Sequence, residues 1–383
     1  MVRRLPRVPR VPRVPRVPGL SSFPRVPSLS SLPSLSSLPT FPRVPVLLSL
    51  ILLITAIAIP LPYVIIEPGE PQNILGKVEK GSSKRLIEIT GAKIFPTTGK
   101  LNLTSIYVSS PEAKIFGFDV VTAWVDGERS VQPREVFFPE GVSGKEVDQQ
   151  NALEMRQSQE HAKVSALQYL GYKTPEKIVI SAITKESPNN KTLKNGDQII
   201  KLNGVQLTSA ADFKKQLAAI SVAKTSSDKM QLTILRKSEE KAFTVSTYKL
   251  PTKQKVLGLM VESKYKYPFT IKISLKDVGG PSAGLMFSLG IIEKLRSENL
   301  TRGRNISGTG TIDAFGNIGP IGGIEEKLIG AARAGSKLFL APALNCDDIR
   351  HIPKGLQVVA VETLVEAVTA LKTQDLESLP ACG

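Results

Sequence analysis

The sequence predicts an α/β (α+β) protein of several modules behind a single N-terminal membrane-spanning helix. Three observations carry that expectation. An uncharged, mostly aliphatic stretch runs from Pro45 to Ile66. Short apolar-polar alternations between residues 76 and 138 read as strands. From about residue 256 onward the apolar pattern switches repeatedly between a period of two and helical spacing, with glycine-rich turns between the elements.

Residues 7 to 18 repeat Arg-Val-Pro four times, and a Ser-Leu-Pro-rich unit recurs over residues 28 to 39. Proline at every third position withholds backbone donors from a helix and favours an extended conformation, so residues 1 to 43 are expected to be a disordered basic tail. About 20 apolar residues cross a bilayer, so residues 45 to 66 are read as a transmembrane helix. Eight arginines and no acidic residue fall within residues 1 to 66, and the first carboxylate is Glu67. That asymmetry predicts a single-pass protein with a cytoplasmic N-terminus, lipid contact and an extracytoplasmic body.

The same mapping removes the nucleic-acid reading of the net charge. Half of the +16 sits in the tail, aromatic residues are sparse, and no basic-aromatic groove pattern appears. Cys346 and Cys382 have no metal-ligand spacing, and one bridge between them or two free thiols both remain open. No metal or cofactor is expected.

Residues 76 to 170 are read as a β-rich region that ends in a helix. Its strands are Leu86 to Thr90, Leu101 to Val108 and Val120 to Trp124, and its helix is Gly144 to Leu170. Residues 173 to 250 form the next module. A strand at Ile178 to Ile183 leads to Leu193-Lys-Asn-Gly-Asp-Gln-Ile-Ile-Lys-Leu-Asn-Gly204, then to a helix from Ser209 to about Ile220 and two further strands. The Leu-x-x-Gly-Asp-x-Ile-x-x-x-Asn-Gly run resembles the signature of PDZ domains. That resemblance implies capture of C-terminal peptides by strand addition. The usual carboxylate-binding loop is not recognisable before Ile178.

The chemistry lies in residues 256 to 375. Asp277-Val-Gly-Gly-Pro-Ser-Ala-Gly284 places Ser282 in the first turn of a predicted helix, Pro281 to Glu298, between glycines at 279, 280 and 284. Forty-five residues later Lys327 stands on a second predicted helix, Ile324 to Ala334, beside Leu328 and Ile329. The chain has only two histidines, so a lysine is the readier base for that serine. A lysine held neutral by burial can act as a general base, and a helix N-terminus offers unpaired N–H groups to a developing oxyanion. A solvated helix lysine and a helix-capping serine are the plain alternatives for the two residues taken singly.

Gly279-Gly-Pro-Ser-Ala-Gly284, Gly308-Thr-Gly-Thr-Ile312, Gly316-Asn-Ile-Gly-Pro-Ile-Gly-Gly323 and Glu326-Lys327 occur in one order. Together they closely resemble the proteolytic domain of Lon-type serine peptidases. Asn345-Cys346, after the strand Phe339 to Pro342, resembles the membrane-anchored branch that carries a PDZ domain. The resemblance implies Ser282 as nucleophile, Lys327 as general base and Thr309 as the residue whose hydroxyl orients the lysine. Gly280 and Pro281 would support the oxyanion site, and homo-oligomeric rings are implied as well. No Gly-x-x-x-x-Gly-Lys-Ser/Thr phosphate loop occurs in the chain, so unfolded or extended polypeptides are the expected substrates. Two other readings stay open. One is a non-catalytic PDZ adaptor for exported proteins. The other is an α/β-hydrolase-like esterase that uses Gly280-Pro-Ser-Ala-Gly284 with Asp347 or Asp348 and His351.

Overall fold

The computed structural model describes residues 43–78, 81–222, 228–249, 255–275, 278–375 and 378–382. The expected disordered tail therefore lies outside the described residues, apart from its last position.

Helix α1, Arg43–Ala58, is 16 residues long. At 1.5 Å per residue it reaches about 24 Å, short of the ~30 Å hydrocarbon layer. Pro60 and Leu61 then form a strand paired with Ile115 and Phe116. Among the described residues no helix is long and apolar enough to cross a membrane, which overturns the expected transmembrane helix at 45–66. The uncharged run does not stop where the helix stops. Prolines at 60 and 62 favour extended backbone, and the last third of the run is spent in strands. The expected topology and lipid contact lose their support with it.

From Ala58 onward the chain forms one compact unit. Its central sheet has the order Gln357–Val361, Leu338–Pro342, Asn305–Gly308, Lys100–Leu103, Gln72–Asn73. All its pairings are parallel except the last. Leu338 to Ala341 are all buried, as expected for a strand covered on both faces.

Helix α2, Gly117–Asp126, occupies the region read as the strand Val120 to Trp124. Its start is fixed by Asp119, which accepts the Phe116 N–H at 2.8 Å. Val120 and Ala123, three apart, are its buried positions, so one face of a helix satisfies a sequence that also scans as alternating. Helix α3, Gly144–Tyr169, opens with a reciprocal cap in which Ser143 and Glu146 bond each other's backbone N–H.

Between α3 and the second half of the central unit sits a five-strand antiparallel path. Its order is Glu239–Ser246, Lys229–Arg236, Gln198–Leu202, Glu176–Ile183, Leu259–Tyr265, and helix α4, Ala210–Val222, packs beside it. Ile180, Ile199, Leu202, Phe213 and Leu232 form its core. The Gly-Asp and Asn-Gly pairs of the sequence motif do distinct physical work. Gly196, Asn203 and Gly204 adopt positive φ at two turns. Buried Asp197 accepts two bonds from Arg236, at 2.7 and 2.6 Å, and the Lys194 N–H at 2.8 Å.

The chain then returns to the central unit through helices α5, Gly284–Leu295, α6, Ile324–Arg333, and α7, Leu364–Lys372. Leu338 and Leu340 join the core that α3, α5 and α7 supply, whereas Phe339 and Ala341 join the core of α6. Alternation along one strand thus sorts the helices onto two faces. Residues 72–170 share their sheet and core with residues 270–372, and the antiparallel module is an insertion between them.

Candidate active site

The loop before α5 is pinned from both sides. Gly280, at φ 78°, donates its N–H to the Asn151 carbonyl on α3 at 3.0 Å. The Pro281 carbonyl accepts the Ser158 hydroxyl, also on α3, at 2.8 Å. The Ser282 carbonyl accepts the Gly310 N–H at 2.8 Å and the Thr309 hydroxyl at 3.1 Å. A Cβ added at Gly284 would lie 2.7 Å from Ile312 Cγ2 and 2.8 Å from Ser158 Oγ, so α3 can approach only a glycine there.

Helix α5 begins later than the sequence suggests. Ala283 is its N-cap and Ser282 precedes it. Gly280 N–H is engaged by Asn151, and Pro281 has none. The Ser282 and Ala283 N–H groups make no hydrogen bond among the described residues, which leaves them as the loop's unused donors.

Lys327 is 3% exposed on the first half of α6. Its Nζ donates to Thr309 Oγ1 at 3.2 Å. Burial pushes its pKa down to about 8, against a smaller opposite pull from Glu326. The threonine therefore bridges the lysine head to the backbone of Ser282. Ser282 and Lys327 both line one cleft of about 1080 Å³, together with Gly322, Asp148 and Asn151. The loop that leads into α6 is fastened by buried Asn345, whose amide accepts the Ile321 N–H and donates to the Ile321 carbonyl, each at 2.9 Å. Cys346 and Cys382 are joined as a disulfide with a Cα–Cα distance of 4.9 Å, which ties the residue after Asn345 to the C-terminal segment.

The histidines stand apart. His351 has a 93% exposed side chain beside Glu325, and His161 lies 3.2 Å from the Ile312 carbonyl. Neither lines the Ser282 cleft, so the serine-histidine alternative has no base in position. Asp277 lies outside the described residues. Sequence reasoning passed over Asn151 and Ser158. Only the backbone of the first and a common polar side chain of the second are used, and neither leaves a distinctive pattern on a helix.

The inserted module holds a second feature that the sequence did not disclose. Strand Leu259–Tyr265 is the outer strand of its sheet and pairs along Glu176–Ile183. It is preceded by Leu257 and by Gly258 at φ 68°, whose N–H groups have no partner among the described residues. A Cβ on Gly258 would come 2.6 Å from Thr184 Oγ1 and 2.7 Å from Ser187 Cβ.

Comparison with known proteins agrees with this geometry. The family model described as the Lon protease (S16) C-terminal proteolytic domain matches residues 274–374. The chain carries a Lon-type C-terminal proteolytic domain. A PDZ domain is present as well, matched over residues 145–247, although the structure packs α3 against α5 rather than with the PDZ sheet. Lon protease 1 of Bacillus subtilis (strain 168) is 32% identical over 126 residues, which are 32% of this chain and 16% of that protein. Lon protease 2 of Herpetosiphon aurantiacus is 37% identical over 93 residues, 23% of this chain and 11% of that protein. The chain thus spans only a small part of the length of these curated relatives. A solved PDZ domain of an SdrC-like protein from Listeria monocytogenes is 14% identical at a TM-score of 0.20, covering 22% of this chain and 85% of that one.

Proposed function

We propose that this protein is a serine endopeptidase that cleaves unfolded or extended polypeptides through a Ser282–Lys327 dyad, with no ATPase motif in the 383 residues. The observation that carries this reading is the buried Lys327 amine. Its basicity is lowered, and it is tethered by Thr309 to the backbone of the serine in the same cleft. With a pKa of about 8, roughly a tenth of the lysine is neutral at pH 7. The neutral amine accepts the Ser282 hydroxyl proton as Oγ bonds to the scissile carbonyl carbon. The Ser282 and Ala283 N–H groups are the donors for the oxyanion that forms. Collapse breaks the C–N bond, the lysine returns its proton to the leaving amine, and water then releases the acyl group by the same proton path.

The outer PDZ strand supports a second element of this reading, capture of polypeptide C-termini. Two successive free N–H groups at a positive-φ glycine suit a carboxylate, and Leu259 and Val261 pack on the module core beside the free edge. A fluorescent peptide with a free C-terminus should bind more tightly than its C-terminal amide; equal binding would reject this assignment.

The test of the dyad follows hydrolysis of an unfolded protein without ATP by wild type, Ser282→Ala and Lys327→Met. Loss of turnover in both variants supports it. Turnover unchanged in both rejects it.

A further inference from the structure

The cleft that holds Ser282 has a wall from a part of the chain outside both matched segments. Strand Ile106–Val108 lies at one edge of a three-strand sheet and pairs with Tyr63–Pro68. Gly69 donates its N–H to the Ser105 carbonyl, and Ser109 donates its N–H to the Ile65 carbonyl, both at 3.0 Å. In an antiparallel pair the backbone groups that face one neighbour recur at every second residue. Residues 105, 107 and 109 therefore face the paired strand, and Ile106 and Val108 turn their N–H and C=O groups to the open edge. Those groups have no partner outside the sheet among the described residues. Ile106 also sits against the loop that leads to Lys327, since a Cβ on Gly323 would lie 2.8 Å from its Cγ2.

The second part of this wall is the single turn Arg134–Val136 with Phe137 and Phe138 after it. Val136, Phe137 and Phe138 line the same cleft as Ser282, and Val136 is 66% exposed there. The turn is held by its own backbone, with Phe137 and Phe138 both donating to the Arg134 carbonyl, and the Arg134 guanidinium lies 5.8 Å from the Phe138 ring. An exposed valine beside two phenylalanines is an apolar wall that the fold does not cover.

We infer that the edge of Ile106–Val108 binds the backbone of an extended polypeptide substrate as an added strand, and that Val136 to Phe138 receive an apolar side chain near the scissile bond. This rests on the peptidase reading above and adds to it the element that positions substrate and sets preference. Strand addition supplies affinity through the main chain and leaves alternate side chains to confer specificity. The occupant is an extended chain rather than a compact protein, because the free groups of one strand edge require a backbone without prior pairing.

The test uses the full chain with Ser282→Ala and a fluorescent decapeptide of mixed sequence with one central leucine, its C-terminus amidated to avoid the PDZ edge. Binding is read by anisotropy, and backbone N-methylation at each position and replacement of the leucine by glutamate are compared. Single N-methyl groups are expected to weaken binding at alternate positions only. Leucine to glutamate should cost about tenfold or more, the scale on which apolar pockets discriminate. Val136→Asp in the same background should erase the preference for leucine while leaving the circular dichroism melt unchanged. Uniform sensitivity to N-methylation, a preserved preference in Val136→Asp, or no binding at millimolar peptide would each overturn the inference. Concentration-dependent dimerisation abolished by Val136→Asp would instead assign this wall to a second copy of the chain. Serine-dependent turnover by the wild type is scored separately, so the peptidase reading can fail while binding stands, and the reverse.

Discussion

Replacing Lys327 by methionine removes the proposed base while keeping an unbranched side chain of similar length in its buried site. Lys327 is lowered from 10.5 to about 8 by burial, and each unit is worth 1.36 kcal/mol, so keeping it charged at pH 7 costs the fold about 3 kcal/mol. Methionine escapes that cost. It also gives up the bond to Thr309 at 3.2 Å, worth about 1 kcal/mol, while Thr309 keeps its own bond to the Ser282 carbonyl. The variant should therefore be more stable than wild type by about 2 kcal/mol at pH 7 and should have no peptidase turnover. The sign follows from linkage: between pH 8 and 10.5 the unfolded chain holds more protons than the folded one, so wild-type stability rises with pH across that window. The advantage of Lys327→Met should accordingly shrink through it, reach zero at about pH 10, and become a deficit of about 1 kcal/mol well above pH 10.5. Equilibrium urea unfolding of both proteins at pH 7, 9 and 10.5 measures the difference. A variant less stable than wild type at pH 7, or a difference that does not change with pH, would refute the account of a buried, strained base.

Turnover by the wild type should rise with pH and level off above about 8, as the neutral fraction of Lys327 grows; a pH-rate profile flat from 6 to 9 would remove the lysine as base. Thr309→Val deletes both the acceptor for Lys327 and the donor to Ser282, and kcat should fall about 10- to 100-fold, with an altered pH midpoint showing that the loss is in positioning rather than folding. Gly258→Ala puts a Cβ into Thr184 and Ser187 at positive φ and should destabilise the PDZ module by roughly 1–3 kcal/mol, read by urea unfolding. Reducing the Cys346–Cys382 bridge, which spans a sequence separation of 36, should cost about 2–4 kcal/mol of stability, seen as a lower urea midpoint in reductant.

Much of the site was legible because its residues are constrained by local chemistry. The glycines around Ser282, the turn glycines at 196 and 204, and the uncharged run from Leu328 to Ala332 after Lys327 all announce themselves in one dimension. Other features share a local pattern with something else. Val120 to Trp124 alternates like a strand, yet Asp119 supplies a cap three residues after Phe116, and the helix wins. The 22 uncharged residues from Pro45 satisfy a hydropathy criterion, but the helix stops at Ala58, before proline at 60, and takes in only 14 of them.

The sequence by itself nominated Ser282 and Lys327 as the candidate pair, because a serine between glycines and a lysine followed by apolar residues are requirements of residue type. It also determined the PDZ turns, where backbone angles permit few side chains. Only the tertiary structure decided what holds the Ser282 loop, since Asn151 and Ser158 reach it across more than 120 residues of chain by a backbone carbonyl and a hydroxyl that any sequence could offer. It likewise decided that the PDZ edge strand comes last in its module and that Ile106–Val108 and Val136 to Phe138 line the cleft. Such placements arise from strand pairing and packing between distant segments, which periodicity within one segment does not encode.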